Sequence, residues 1–456
     1  MYETRRSRKA ALIVGITLLV VLIMSVLEEI HVPIATRATA DIMKDESSNS
    51  HTVPSISIAM SNNTTSPLAN RCREVGEQFA RSFASNDSAI TQITASSDSS
   101  TISTVLPFWC TQQWYDKKSC RSKTQMLCQP KGLLFVKTPK TGSTTISRIM
   151  KRLVQKVAQR YNVDSCQHRE DHVNGAGFWY ANRSPTQSFL LASVRDPAQR
   201  AMSRFFWSYV TQQQSQDNNN NQTMDDSFIL DYLNKSTSVA SGCTSKGQGG
   251  YQLNYISMTP ILEWSAWSPH NVTQIVRPTV VEEYVRRTMQ AYDFMMVNER
   301  MDESLVLLQL RLGLQTSDIL SLSFNVGGSY RYEHGKCKQL VKPHISKNMQ
   351  TFFQSDEWYA KNYGDYLLYA AANRSLDATI ETLGRDKFDS AMQEFHRLST
   401  KVNEFCNQQV PFPCSSNGTV LFHTDQPVPH AKIEACIDNV VQQDSLLTYK
   451  EENTQQ

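Results

Sequence analysis

The chain has 456 residues, with Lys+Arg 46 against Asp+Glu 43 and a formal net charge of +3. That length suits one large domain or two small ones with accessory segments. The near-neutral balance lacks the basic footprint of a nucleic-acid binder, so the charges that matter are local.

At the N-terminus Arg5, Arg6, Arg8 and Lys9 precede an apolar run from Ala10 to Leu27. At about 1.5 Å per residue the run reaches roughly 27 Å, enough to cross a thin bilayer. A basic flank stays cytosolic. The pattern therefore predicts a cytosolic tail (1–9), a transmembrane signal anchor (10–27) and a lumenal remainder, a single-pass type II arrangement. The alternative is a cleaved signal peptide. Against it, the run exceeds a usual signal core, and the cleavage-like Ala38-Thr39-Ala40 lies far beyond it. Residues 28–105 are rich in Ser, Thr and Asn and cannot bury enough surface to offset their ordering entropy, so they read as a flexible stem. Val75, Phe79 and Phe83 are spaced for one face of a short helix there.

None of the ten cysteines forms a Cys-x-x-Cys pair, which argues against a zinc site. In a lumenal chain some of them would form disulfides whose pairing is not readable. Nine Asn-x-Ser/Thr sequons, Asn182, Asn373 and Asn417 among them, fit passage through the secretory pathway.

Globular patterning starts near Leu106, and the main domain is expected over 106–386. Gly132–Thr138 (GLLFVKT) reads as a buried strand. Ile146, Ile149, Leu153, Val157 and Tyr161 follow at helical spacing. Strand, tight loop and helix form the opening unit of a doubly wound, mostly parallel α/β domain. A second unit lies at 189–210: FLLASV as strand, Asp196 as N-cap, Pro197 at the first helical position and a helix to Val210. A third, 293–314, has Asp302 as its expected cap. WYAKNYGDYLLYAAANRSLDATIETLG is a fourth helical region. A C-terminal extension, 387–456, keeps helical apolar spacing through Phe388, Met392, Phe395, Leu398 and Val402.

The turn between the first strand and helix reads Pro139-Lys140-Thr141-Gly142-Ser143-Thr144-Thr145. A glycine-containing turn at a helix start aims backbone N–H groups at one point, and the helix dipole adds positive potential. Lys140 adds a full charge, and Ser143, Thr144 and Thr145 add hydroxyls. Simple N-capping would not require the lysines or the glycine. The turn is therefore read as a cradle for phosphate or sulfate. It lacks the G-x-x-x-x-G-K-[ST] pattern of a P-loop carbohydrate kinase, and the strand-end pairs Arg195-Asp196 and Asn298-Glu299 do not specify a metal site. The chain also lacks the Asp-x-Asp triplet many nucleotide-sugar glycosyltransferases use to hold a metal.

These residues carry a resemblance. PKTGSTT resembles the 5′-phosphosulfate loop of the membrane-bound (Golgi) carbohydrate sulfotransferases. VRDPAQRAMSRFF resembles their 3′-phosphate motif, which corresponds here to Arg195 and Ser203. MDESLVLL (301–308) and DYLLYAAANRSL (365–376) look most like the galactose 3-O-sulfotransferase branch. The likeness covers roughly 130–385. It implies transfer of a sulfuryl group from 3′-phosphoadenosine 5′-phosphosulfate (PAPS) to a carbohydrate hydroxyl of a glycan or glycolipid, in the Golgi lumen and without a metal. Lys140 would stabilise the leaving oxygen, Thr141 to Thr145 would hold the 5′-phosphate, and Arg195 and Ser203 would grip the 3′-phosphate.

The acceptor needs a general base. SCQHREDHVNGAGFWYANRSP, between the first helix and the second strand, offers His168, Glu170, Asp171 and His172. In related carbohydrate sulfotransferases a histidine of this interval is the base; spacing favours His172, then His168, then Glu170. The alternative is a surface loop of solvated charges. Phe178, Trp179 and Tyr180 are candidates for a sugar cleft or for core. The later YRYEHGKCKQLVKP reads as a basic loop offering Arg331, Lys336 and Lys338. An inactive lumenal glycan-binding protein with the same fold and a P-loop carbohydrate kinase are the competing functional classes.

Overall fold

The computed structural model describes residues 106–111, 129–172, 175–207, 225–237, 251–258, 278–322, 330–333, 335–340, 344–410, 412–415, 417–421 and 430–454. The chain divides into two units, Met1–Thr64 and Thr65–Gln456, and every described residue belongs to the second. The expected tail, anchor and stem lie outside the described residues. Among the described residues no helix is long and apolar enough to cross a membrane.

In chain order the elements are β1 (Gly132–Val136), α1 (Ser143–Arg160), β2 (His168–Asp171), a 3-10 turn (Ala176–Tyr180), β3 (Ser188–Val194), α2 (Pro197–Phe205), α3 (Asp226–Thr237), α4 (Tyr251–Ile256), α5 (Pro278–Ala291), β4 (Phe294–Val297), a second 3-10 turn (Asn298–Arg300), α6 (Met301–Leu312), α7 (Thr316–Ile319), β5 (Tyr330–Glu333), β6 (Lys336–Gln339), α8 (Lys347–Phe353), α9 (Asp356–Leu383), α10 (Arg385–Gln409) and α11 (His430–Thr454).

Four parallel strands form the main sheet in the order β2-β1-β3-β4. β1, β3 and β4 are buried along their whole length, as strands covered on both faces should be. Successive β2 residues point to opposite faces. Glu170 meets Ser147 of α1 on one side, and Asp171 meets Tyr180 on the other. The α/β fold with a mostly parallel sheet is therefore as expected. β2 itself is not: HRED carries no apolar alternation and reads as loop, and its strand form comes from pairing with β1, Leu133 opposite His168 through Val136 opposite Asp171.

Local chemistry explains most boundaries. Asp196 caps α2 by accepting from the Gln199 amide at 2.8 Å, with Pro197 at the first position, as the sequence indicates. α2 runs to Phe205, and residues 208–210 of its expected end lie outside the described set. α1 starts at Ser143, earlier than apolar spacing suggests, because Gly142 turns the chain at φ 72. Asp302 is not a cap. The chain leaves β4 through a 3-10 turn, Arg300 precedes the helix, and Asp302 sits in the first turn of α6, where a carboxylate favours the dipole. The basic stretch after residue 329 is an antiparallel hairpin, β5–β6.

The main core joins the sheet to α1, α5, α6, α9, α10 and α11. Fully buried Leu133, Leu134, Phe135, Leu190 and Leu191 each contribute about 1.5–3 kcal/mol relative to exposure. A second cluster unites Ala201, Met202 and Phe205 of α2 with Leu233, Met349, Phe353 and Trp358. Disulfides pair Cys110 with Cys166, Cys337 with Cys414, and Cys406 with Cys436. The last of these ties α10 to α11.

α11 also closes over α1. Arg152 of α1 is 1 % exposed. It donates to the Ser317 carbonyl at 2.9 Å, to Glu434 and, at 2.7 Å, to Asp438. Burial raises the Asp438 pKa, but Lys156 and Arg152 outweigh it and hold the carboxyl below its ordinary value. We expect Arg152→Ala to cost about 3 kcal/mol at neutral pH, because it removes the buried cation that Glu434 and Asp438 share. A lowered carboxyl stabilises above its unfolded pKa and loses that contribution as pH falls below it. The gap between wild type and variant, measured by urea denaturation of residues 106–456, should therefore narrow below about pH 4.

Candidate active site

The carboxyl ends of the four strands deliver four groups of residues to one edge of the sheet. β1 leads into Lys137–Gly142, β2 into His172, β3 into Arg195 and Asp196, and β4 into Asn298 and Glu299. Chain order reverses between β1 and β3. In open α/β sheets the ligand crevice lies outside the strand ends at such a switch point.

The loop after β1 is shaped by one buried side chain. Thr141 is fully buried. Its hydroxyl donates to the Thr138 carbonyl at 2.8 Å and lies 2.6 Å from Ser193 Oγ of β3. A threonine hydroxyl has a single hydrogen, so Ser193 is the donor of that second bond. The Thr141 hydroxyl is thus spent on the loop's own architecture. Lys140 is held at φ 67, a left-handed conformation costing a non-glycine residue roughly 1–3 kcal/mol. Gly142 follows at φ 72, and a Cβ there would run into Asn298 Oδ1 and Met301 Cε. The loop is therefore clasped from the β4 side as well.

The backbone of the turn has few hydrogen bonds of its own. The Thr145 and Ile146 amides bond the Gly142 carbonyl. Among the described residues, the amides of Thr141, Gly142, Ser143 and Thr144 make no backbone–backbone hydrogen bond of ordinary geometry. Ser143 is buried, Thr144 exposed and Thr145 intermediate, all at the positive end of α1. The Lys140 ammonium lies over the Trp207 ring, 4.2 Å from its centroid. Trp207 follows α2, which carries Ser203, a partly exposed residue two turns into that helix.

Arg195 joins the two halves. Its Nη1 donates to the Lys140 carbonyl at 3.3 Å, and its Nε stands 3.4 Å from Glu299 Oε1. That Nε is buried and meets no acceptor at hydrogen-bond geometry. Arg195 is thus both a neighbour of the lysine loop and an ion-pair partner. Asp196, close to Glu299, has its pKa raised by burial and secondarily by that carboxylate.

The histidines of the predicted interval stand at opposite ends of β2. His168 pairs beside Leu133 at the amino end, three positions from the crevice edge. His172 follows the carboxyl end, exposed, with Nδ1 2.6 Å from the Lys137 carbonyl. A carbonyl only accepts, so Nδ1 carries hydrogen, and Nε2 of the neutral ring is the basic nitrogen. Glu170 is committed elsewhere. Ser147 donates to it, and Lys137 and Lys151 stand at 3.5 and 3.9 Å. Burial raises its pKa, but that hydrogen bond and the charges of Lys137, Lys151 and His168 outweigh it, so the pKa is lowered. Asp171 is buried and takes Tyr180 at 2.5 Å and Arg169 at 2.6 Å. Of the aromatic trio, Tyr180 is core, while Phe178 is 43 % exposed.

Sequence reading overlooked the residues that support these groups: Ser193, Gln252, Tyr255 and Asp365. Gln252 brackets the main chain of Arg195, and Tyr255 lies 6.4 Å from His172 between ring centroids. No local signal marks them.

The model described as "Sulfotransferase family" matches residues 124–369, more than half of the chain. The chain belongs to that family. No curated protein and no solved structure matches it.

Gly142→Ala tests the clasp. Gly313 has a similar φ of 61 but open space around its Cβ. Gly313→Ala should therefore cost only the backbone term, about 1 kcal/mol. Gly142→Ala should cost at least about 1 kcal/mol more, since Asn298 must also move. Urea denaturation of both variants makes the comparison.

Proposed function

We propose that this sulfotransferase-family chain moves a sulfuryl group from PAPS to a carbohydrate hydroxyl, the 3-OH of galactose on a glycan or glycolipid. The observation that carries this reading is the joining of two anion-binding elements at the switch point. The Lys140 loop, whose amides from Thr141 to Thr144 make no backbone–backbone hydrogen bond among the described residues, is hydrogen-bonded through the Lys140 carbonyl to Arg195. PAPS carries anionic groups at both its 5′ and 3′ ends, and one crevice with two such elements suits it.

In this reading the amides of Thr141 to Thr144 and the hydroxyls of Ser143, Thr144 and Thr145 hold the 5′ end. Arg195 and Ser203 hold the 3′-phosphate. The acceptor oxygen attacks sulfur in line and the bond from sulfur to the bridging phosphate oxygen breaks. The hydroxyl proton passes to Nε2 of His172. Charge grows on the leaving oxygen of 3′-phosphoadenosine 5′-phosphate, and Lys140, released from Trp207, neutralises it. None of these roles needs a metal. The bond to the Lys137 carbonyl supports His172 as base, because it fixes the tautomer and ties the ring to the start of the donor loop.

The galactose assignment rests on the two stretches that resemble that branch, and both touch the site. Met301 packs against Gly142, and Asp365 accepts the amides of Gln252 and Leu253. A Golgi, type II membrane location follows from the basic flank and apolar run at the N-terminus. The disulfides among the described residues are in keeping with an oxidising lumen. Asn417, exposed in its turn, is open to glycosylation, whereas the Asn373 amide is bonded to the Tyr369 carbonyl within α9.

Calorimetric titration of the lumenal domain with 3′-phosphoadenosine 5′-phosphate tests the donor. Wild type should bind it and ignore ATP, and Lys140→Ala and Arg195→Ala should each weaken binding about tenfold or more. Binding of ATP with magnesium instead would sink the reading. For the base, His172→Ala should lower kcat about 10²–10⁴-fold in transfer of radiolabelled sulfate to galactosides, with nucleotide affinity unchanged. A loss of nucleotide binding without a loss of kcat would remove His172 from that role.

A further inference from the structure

The short helix α4 touches both arms of the site. Gln252 is fully buried. Its Oε1 accepts from the Arg195 amide at 2.8 Å, and its Nε2 donates to the Arg195 carbonyl at 2.8 Å. A side-chain amide that brackets both main-chain groups of one residue does what a neighbouring strand would do. It does so one residue beyond the last ladder pair, Val194 opposite Val297. Gln252 therefore extends the order of β3 by the residue whose side chain faces the crevice.

α4 is itself held from beneath and from both ends. Asp365, fully buried on α9, accepts the amides of Gln252 at 3.1 Å and Leu253 at 3.0 Å. Tyr251 lies against the buried Arg200 of α2, 4.4 Å from ring centroid to guanidinium, and takes a hydrogen bond from Arg204 at 3.3 Å. Tyr251 stacks on Tyr255, which faces His172. The Ile256 carbonyl receives the Tyr292 hydroxyl at 2.7 Å, and the chain at Gly177 comes so close to that carbonyl that a Cβ would strike it.

We propose that Gln252 is a positioning residue for the donor's 3′-phosphate, acting through Arg195. The inference rests on the PAPS reading. Arg195 follows the strand directly, so its guanidinium is aimed by its own backbone, and Gln252 is the group that fixes both polar atoms of that backbone. Removing the bracket lets the arginine drift while Lys140, the turn amides and His172 keep their places.

The test is a double-mutant cycle read with two nucleotides. Gln252→Met keeps the length of the side chain and removes its polar atoms. Calorimetry on the lumenal domain would compare wild type, Gln252→Met, Arg195→Ala and the double variant. Each would be titrated with 3′-phosphoadenosine 5′-phosphate and with adenosine 5′-phosphate, which lacks the 3′-phosphate. Gln252→Met should weaken the first about tenfold, the worth of one to two hydrogen bonds, and leave the second unchanged. In the Arg195→Ala background it should add nothing. In turnover, the KM for PAPS should rise by the same factor, with kcat held within about twofold. Equal losses for both nucleotides, or a further loss on top of Arg195→Ala, would reduce Gln252 to a support of the fold and overturn the proposal. If wild type does not prefer the 3′-phosphorylated nucleotide at all, the donor reading fails first and this inference falls with it. If Gln252→Met does not accumulate as folded protein, Gln252→Asn, one methylene too short to reach both atoms, carries the same comparison.

Discussion

Ser193 and Thr141 share a hydrogen bond inside the protein, and the crevice depends on it. The bond joins the middle strand β3 to the loop that leaves β1, at the point where the sheet changes direction. With Thr141 pinned, Lys140 must take its left-handed turn, and its carbonyl meets Arg195. Unpinned, the loop would relax toward ordinary backbone angles, and the amides of Thr141 to Thr144 would no longer converge. The strain at Lys140 is small next to the burial that holds β1 and β3 together, and that is why it persists.

Around this bond the crevice separates two tasks by secondary structure. The groups proposed to meet the donor's negative charge come from backbone and from residues on rigid elements: the start of α1, the end of β3 and the body of α2. The basic nitrogen of His172 comes from a chain segment outside the ladder, anchored by one hydrogen bond and leaning toward Tyr255. Binding a highly charged molecule rewards preorganisation. The proposed base, which must follow a departing proton, tolerates more freedom. Glu170 engages Lys137 and Lys151, at 3.5 and 3.9 Å, on the α1 side of β2.

The strand, turn and helix geometry of the two motifs was legible in the sequence because it is local. Strand, turn and helix are contiguous in PKTGSTT and in VRDPAQRAMSRFF, and the caps Asp196 and Pro197 declare themselves by type. β2 was not legible, because four polar residues become a strand only when β1 supplies the ladder. The Asp302 cap failed for a related reason: residues 298–300 continue beyond β4 as a 3-10 turn, which tertiary contact with Gly142 shapes. Gln252 and Asp365 were beyond reach altogether. Their bonds span 57 and 113 residues, and neither side chain differs in sequence from a surface residue of the same type.

The burial of Arg152 under α11 has a consequence for how the chain is made. Arg152 and Glu434 are 282 residues apart. At about 5–20 residues per second, a ribosome needs roughly a quarter of a minute to a minute to bring the second within reach of the first. Through that interval Arg152 has the Ser317 carbonyl for a partner but neither of its carboxylates. An apolar side chain at that position would be an adhesive patch on a nascent domain, whereas a guanidinium stays hydrated and waits. The ion pair that replaces an apolar seam here contributes less to final stability than close packing would. In exchange, it keeps an apolar side chain off that face of α1 until α11 arrives.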